Sequence, residues 1–426
     1  MFKTLRSAWK IEDLRKKIIF TLVIVLLYRI GNAVPVPFID KIMLKQQFEV
    51  FRNNALGLLD AMSGGALSGA TIFALSIQPY INASIIIQLL CIAIPALERM
   101  SKDEGEEGRK MIAAITRYST VAIGLLQGFG YYMLMKNRGV ITADASQSIW
   151  AAIVIILTFT SGSALIMWLG EQITEHGVGN GISIILFASI ISRFPTSVIT
   201  TVDNVVHGRL AWWAAVLMFL GALALIILIV FVNDAERRVP VQYAKRVVGR
   251  KMYGGQSTHL PMKVNMSGVM PIIFAQSIAT IPATIAAFTG NGEKAWAQTN
   301  TIWYAVLYFV LIIAFAYFYS TIQFNPIEVA NNLKKNGGYI PGFRPGKPTS
   351  EFIAKVLNKI TLFGAVYLGI IAVVPILISH FFPGINQLTA LSLGGTSIII
   401  VVGVALETVR AIEAQMLMRN YKGFLS

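Results

Sequence analysis

Ten long apolar runs divide this chain, and no other feature of the sequence limits its fold as strongly. An α-helix rises about 1.5 Å per residue, so about 20 apolar residues cross a bilayer core. Charged residues make up only 13% of the 426 positions, against about a quarter in soluble domains. The sequence therefore predicts an all-α polytopic membrane protein with ten transmembrane helices. The runs are Ile18–Ile30, Ala70–Pro95, Ile112–Met135, Ile149–Leu169, Ile182–Ile191, Leu210–Val232, Gly268–Phe288, Ile302–Phe324, Ile360–Ile378 and Leu391–Leu406.

The positions of the basic residues predict the orientation of the chain in the membrane. The formal net charge is +15, most Lys and Arg residues lie in loops between the runs, and the loops after even-numbered runs hold far more of them than the loops after odd-numbered runs. Basic loops remain on the cytoplasmic side of a membrane. We therefore expect a multi-pass protein of the cytoplasmic membrane with both termini cytoplasmic. Because topology accounts for the charge, the sequence predicts no direct readout of nucleic acid.

The number of runs predicts two halves of opposite orientation. Five runs precede the stretch Arg193–Arg209 and five follow it. An odd number of spans in each half inverts the second half relative to the first, and inverted repeats place a functional path at the seam between them. We therefore expect an N-terminal half at 1–205 and a C-terminal half at 206–426.

A short segment before the second run predicts a re-entrant plug helix. Residues 57–68 are small, interrupted by glycine and too few to span a bilayer. Such a segment is tolerated at membrane depth only inside protein or along a cavity. Since ordered glycines lose more backbone entropy than other residues, we expect the plug to be weakly held. The plug residues are Gly57, Leu58, Leu59, Met62, Gly64, Gly65 and Leu67.

Two long basic loops, at about 233–267 and 325–352, carry aromatic and aliphatic residues that a solvated tether does not need. One interpretation is that they only satisfy the positive-inside rule. The other, which also explains the aromatic residues, is that they dock a partner. The docking candidates are Arg246, Arg250, Lys251, Lys334, Lys335, Arg344 and Lys347.

The sequence carries no pattern typical of catalysis or of a metal centre. The four histidines are scattered without zinc-ligand spacing, and no Gly-x-Ser-x-Gly motif occurs. We therefore expect no enzyme activity, no metal and no cofactor. A stronger alternative is a secondary solute transporter of the inverted-repeat type. Such transporters usually hold charged residues near the membrane midplane, whereas the middles of these runs hold almost none. A pore with an apolar lining suits a chemically varied substrate such as an unfolded polypeptide.

Several stretches of the chain, in order and over nearly its whole length, resemble the SecY family of protein-translocation channel subunits. They are Ser63–Leu90, Met167–Thr174 with Gly179–Ser183, Tyr243–Arg246, Gln256–Pro261 with Lys263–Asn265, Asn331–Lys335, Tyr339–Gly346 and Gly394–Ser397. The resemblance implies two five-helix halves around an hourglass pore that a plug closes. It implies a channel that passes unfolded secretory polypeptides and releases hydrophobic segments sideways into lipid.

The resemblance also implies functional residues and partners. A pore ring would consist of Ile77, Ile81, Ile182, Leu186, Ile273 and Ile400, with Leu186 standing where the family usually has isoleucine. A polar cluster at the lateral gate would consist of Gln88, Gln127 and Gln276. Implied partners are SecE, SecG, the ATPase SecA, translating ribosomes, a substrate with a signal sequence, and membrane lipid. The residues alone show that Ile77 and Ile81 are four apart, as are Ile182 and Leu186, so that each pair lies on one helix face.

Overall fold

The computed structural model describes residues 7–50, 55–102, 105–142, 148–243, 246–248, 251–253, 257–288, 298–299, 301–381 and 395–422. Its helices are α1 (Glu12–Gly31), α2 (Lys41–Val50), α3 (Ala55–Met62), α4 (Gln78–Ala93), α5 (Pro95–Lys102), α6 (Gly105–Asn137), α7 (Ile149–His176), α8 (Gly181–Val206), α9 (Trp212–Asp234), α10 (Met270–Phe288), α11 (Ile302–Gln323), α12 (Pro326–Lys335), α13 (Lys347–Phe381) and α14 (Gly395–Lys422). Each of the ten apolar runs overlaps one of these helices, which confirms the helical prediction.

Side chains at helix starts explain several of the boundaries. Ser148 accepts a hydrogen bond from Ala151 N at the start of α7. Asn180 accepts from the first turn of α8, and Thr301 from Tyr304 N at the start of α11. Each cap satisfies a backbone donor that has no partner within its own helix.

The second apolar run is helical only in its second part. Helix α4 begins at Gln78 and has Pro79 in its first turn. Proline is tolerated there because the backbone N–H groups of a first turn have no acceptor within the helix. Residues 63–77 instead form consecutive turns, in which Ala70 and Ser76 have φ angles of 42° and 51°. Their backbone is bonded within the protein: Val36 N donates to Ala70 O at 2.9 Å, as membrane depth requires. The spanning helix predicted from Ala70 is therefore shorter than expected.

Two small antiparallel sheets, which the all-α prediction did not include, form from the basic loops: one has three strands and the other two. Strand β1 (Glu236–Tyr243) pairs with β4 (Ser257–Lys263) on one side and with β5 (Gly338–Tyr339) on the other, and β2 (Arg246–Val248) pairs with β3 (Lys251–Tyr253). Val239, Val241, Met262 and Ile340 build the core of the three-stranded sheet against helices α12 and α13. The two loops therefore fold together as one body.

The helices fall into two groups along the chain, α1–α8 and α9–α14, which contact each other in two places. Helix α10 packs against α4 and α6 in one place, and α8 packs against α9 and α14 in the other. The start of α1 and the end of α14 share an apolar cluster through Leu14 and Ile412. Arg410 of α14 bonds to Asp234 at the base of β1. Both ends of the described chain therefore lie at the end of the bundle that carries the sheet.

Candidate pore, plug and gate

The candidate pore ring lies in one buried apolar cluster that draws residues from both groups of helices. Ile77, Ile81, Leu186, Ile273 and Ile400 all belong to this cluster, and none is more than 3% exposed. They come from four separate helices or their caps: α4, α8, α10 and α14. Their side chains are branched and aliphatic, so they offer no hydrogen-bonding group to water.

Ile182 differs from the other five candidates. Its side chain is only partly buried and packs against the edge of the cluster. Helix α8 approaches α7 closely at this point. A Cβ added at Gly170 of α7 would lie only 3.2 Å from Ile182 Cγ1. Ile182 therefore contacts the wall helix α7 as well as the neck.

The plug helix α3 packs against α8 and α10, so that it touches both groups of helices. Its Met62 is 2% exposed and belongs to the same apolar cluster as the ring. Gln78 Nε2 donates to Met62 Sδ at 3.5 Å, and Tyr131 Oη donates to Leu67 O at 2.6 Å. Leu59 and Gly57 are partly buried, and the backbone of Leu58 lies in α3. The plug therefore sits inside the bundle, and its Met62 shares an apolar cluster with the ring candidates.

An ion pair joins the plug to helix α8. Asp60 Oδ2 lies 2.7 Å from Arg193 Nη2 on α8. Neither residue was among the predicted functional residues. A signal was nevertheless present, since Asp60 is the single charged residue at positions 55–97, and Arg193 the single one at 178–202. An isolated charge within an apolar segment indicates a specific partner.

No hydrogen bond between described residues joins the three candidate gate glutamines to one another. Gln88 Nε2 donates to Ser84 Oγ on its own helix at 3.1 Å, and Gln127 is partly buried on α6. Gln276 is 2% exposed, and its Oε1 lacks a hydrogen-bond partner among the described residues. A polar contact does join helices α10 and α4: Ser277 Oγ of α10 donates to Gln78 Oε1 of α4 at 3.4 Å.

The sheet end presents the candidate docking residues on a rigid support. Arg344 is exposed in the turn between β5 and α13, where Gly342 and Gly346 have positive φ angles. Arg344 O accepts from Thr349 Oγ1 at 2.8 Å, and the neighbouring Phe343 ring packs on Phe352 at 4.3 Å. Exposed Lys334, Lys335 and Lys347 flank this turn, Arg246 and Lys251 lie in β2 and β3, and Arg250 lies outside the described residues.

Charged groups join the base of the sheet to α14. Arg410 Nη2 donates to Asn233 O at 2.9 Å and also pairs with Asp234. The pKa of Lys263 is lowered, mainly because the ammonium group is desolvated and secondly because the Arg410 guanidinium lies nearby. The carboxylates of Asp234, Glu236 and Glu407 act in the opposite direction but do not cancel this effect. The docking surface is thereby attached to the helix that carries Ile400.

The family model for SecY matches residues 71–409 of this chain. The chain belongs to the SecY family. The protein translocase subunit SecY of Streptomyces griseus is 47% identical over the full length of both chains, and that of Corynebacterium glutamicum is 43% identical over 98% of this chain and 99% of that one.

Solved structures share the fold of this SecY family member. One described as "The structure of a protein conducting channel" aligns with a TM-score of 0.66 at 16% identity, covering 94% of this chain and 92% of that one. Another, whose description states that the SecY plug domain stabilises the closed state of the channel and maintains a membrane seal, has a TM-score of 0.61 at 15% identity with the same coverage. The predicted fold of ten spans with a plug agrees with these channels.

Proposed function

We propose that this SecY family member is the protein-conducting channel subunit of a Sec translocase. It passes unfolded secretory polypeptides across the cytoplasmic membrane and releases hydrophobic segments sideways into the bilayer. The observation that carries the proposal is the single apolar cluster that contains ring candidates from four helices together with the plug residue Met62. Such a neck excludes water and ions when empty, yet binds no particular side chain of a passing chain.

The proposal assigns the seam between α10 and the pair α4 and α6 to sideways opening. These helices pack against each other, and the polar groups on them include Gln78, Ser277 and Gln276. When a hydrophobic signal sequence enters between these helices, its apolar contacts with them replace the contacts that the helices made with each other. The orphan Oε1 of Gln276 gains a partner only when the seam rearranges. Gln88 and Gln127 line the same side of α4 and α6 in this proposal.

Partners and topology follow from the basic end of the molecule. The exposed Lys and Arg residues around Arg344 form the docking surface for the SecA ATPase or a translating ribosome. SecE and SecG complete the membrane complex, and the chain itself catalyses no reaction. Both termini and the sheet lie on the cytoplasmic side, and the halves 1–205 and 206–426 open about the contact of α8 with α9.

Reconstitution tests the proposal. The chain is purified together with SecE and SecG, placed in proteoliposomes, and supplied with SecA, ATP and a radiolabelled preprotein. We expect ATP-dependent protection of the preprotein from added protease, and no protection of a mature protein that lacks its signal sequence. Omission of SecA is the matched control.

The alternative solute transporter predicts a different outcome. Gradient-driven uptake of a small solute by the same vesicles, with no protected preprotein, would contradict the channel function. Failure of SecE to co-purify from membranes would also contradict it, because a solute carrier needs no such subunit.

A further inference from the structure

The ion pair between the plug helix and the bundle wall is nearly enclosed. The side chain of Asp60 is 7% exposed and that of Arg193 is 31% exposed. Both carboxylate oxygens of Asp60 are used, since Oδ2 pairs with Arg193 and Oδ1 accepts from Ser68 N at 2.7 Å. A carboxylate taken out of water and left without a partner is strongly unfavourable. The arginine therefore stabilises the seated position of the plug.

The plug is shaped to bring these two charges together. A Cβ added at Gly64 would lie 2.9 Å from both Ser189 O and Ser192 Oγ, so only glycine lets the plug approach α8 so closely. Gly64 also has a φ angle of 72°, which glycine adopts readily. The Arg193 guanidinium lies over Gly65, where an added Cβ would be 3.6 Å from Nη2. Small residues thus seat the plug on one turn of α8, and that turn supplies the cation.

We propose that Asp60 and Arg193 form a latch that sets how readily the channel opens, and hence how effective a signal sequence must be. This inference rests on the proposed channel function. When the plug leaves its seat, the pair separates and both charges become hydrated. A signal sequence that inserts at the seam must offset the loss of this pair as well as the loss of apolar contacts. The two residues therefore determine specificity for substrates without lying in the neck itself.

The unequal burial of the partners predicts an unequal effect of replacing them. Arg193→Gln leaves a buried carboxylate unpaired in the closed state, and only opening hydrates it. Asp60→Asn leaves an arginine that already reaches water, and the amide oxygen can still accept from Ser68 N. We expect resting leak to increase by about tenfold or more in R193Q, and by less in D60N. The double variant D60N/R193Q should leak less than R193Q alone, since it contains no buried charge.

Planar-bilayer recordings of the complex with SecE and SecG measure resting leak for the wild type, both single variants and the double variant. Asp203→Asn is the matched control, because Asp203 lies on the same helix and pairs with His207 in an exposed position. The same variants are assayed for export of a reporter whose signal sequence is defective. R193Q should export this reporter better than the wild type does.

The pattern of the four measurements decides the inference. Leak that is lower in the double variant than in R193Q supports the latch, because independent packing losses would add instead. Additive leak, or leak equal to that of D203N, overturns it. Wild-type translocation of a reporter with an intact signal sequence is measured in parallel. If that fails, the channel function is wrong; if it succeeds while the variants remain tight, only the latch is wrong.

Discussion

The pore ring makes the sharpest prediction, through the double replacement of Ile81 and Ile273 by serine. Both side chains are fully packed in the central cluster, on helices from the two sides of the seam. Burying an isoleucine side chain is worth about 1.5–3 kcal/mol. If opening exposes the ring to water, this stabilisation belongs to the closed state alone. Losing it at two neighbouring positions should cost about 3 kcal/mol, allowing for incomplete additivity.

A change of about 3 kcal/mol shifts the ratio of open to closed channels by about two orders of magnitude. Single-channel recordings in planar bilayers count the resting openings per channel directly. We expect I81S/I273S to leak about 100-fold more often than the wild type. Ile→Val at the same positions removes one methylene each, at about 1 kcal/mol or less per position, and should leak far less.

The matched control uses isoleucines that face outward. Ile227 of α9 is 62% exposed and Ile370 of α13 is 51% exposed, so I227S/I370S changes the same chemistry away from the neck. Ile229 is unsuitable as a control because it is 1% exposed and belongs to the central cluster. Equal leak from the ring and control variants, or no leak from the ring variant, would refute the assignment of the ring.

Three further predictions follow from the plug, the docking surface and the helix crossings. Arg344→Glu should abolish most SecA-driven translocation while the complex still assembles with SecE, because a carboxylate repels the acidic groups that an arginine fork binds; normal protease protection of a preprotein would contradict this. Deleting Leu58–Leu67 should leave an assembled complex with raised resting conductance, and failure to assemble would show that the segment is part of the structural core. A Cβ at Gly162 would lie 1.8 Å from Ile72 O, so Gly162→Ala should lower the free energy of unfolding by about 1–3 kcal/mol. Gly221→Ala is the control, because nothing lies within 4 Å of a Cβ added there, and it should not lower stability. Thermal unfolding in detergent compares the two variants.

The amino-acid sequence alone determined the class of the protein and much of its plan. A continuous run of about 20 apolar residues crosses lipid as a helix, because a helix satisfies every backbone polar group within the segment. Ten runs therefore predicted ten helices, and each overlaps a helix in the structure. The short glycine-broken segment before the second run predicted a plug for a similar reason, since a helix of that length cannot span a bilayer. Both inferences depend on local composition, which a single sequence displays directly.

Tertiary structure decided which residues meet. The sequence predicted two separate basic loops. In the structure β1 pairs with both β4 and β5, so that one sheet contains strands from both loops. The pairing of β1 with β5 joins residues about 100 positions apart, and no periodicity in the sequence identifies such partners. The start of α4 at Gln78 was likewise set by hydrogen bonds from the preceding turns to the loop after α1.

The ion pair shows the same limit most clearly. Asp60 and Arg193 are 133 positions apart, and nothing in either local segment specifies the other as partner. Only the close approach of Gly64 to α8 brings the two charges within 2.7 Å. Hydrophobicity acts on each segment separately and can be read along the chain, whereas a contact between charges depends on the packing of the whole bundle.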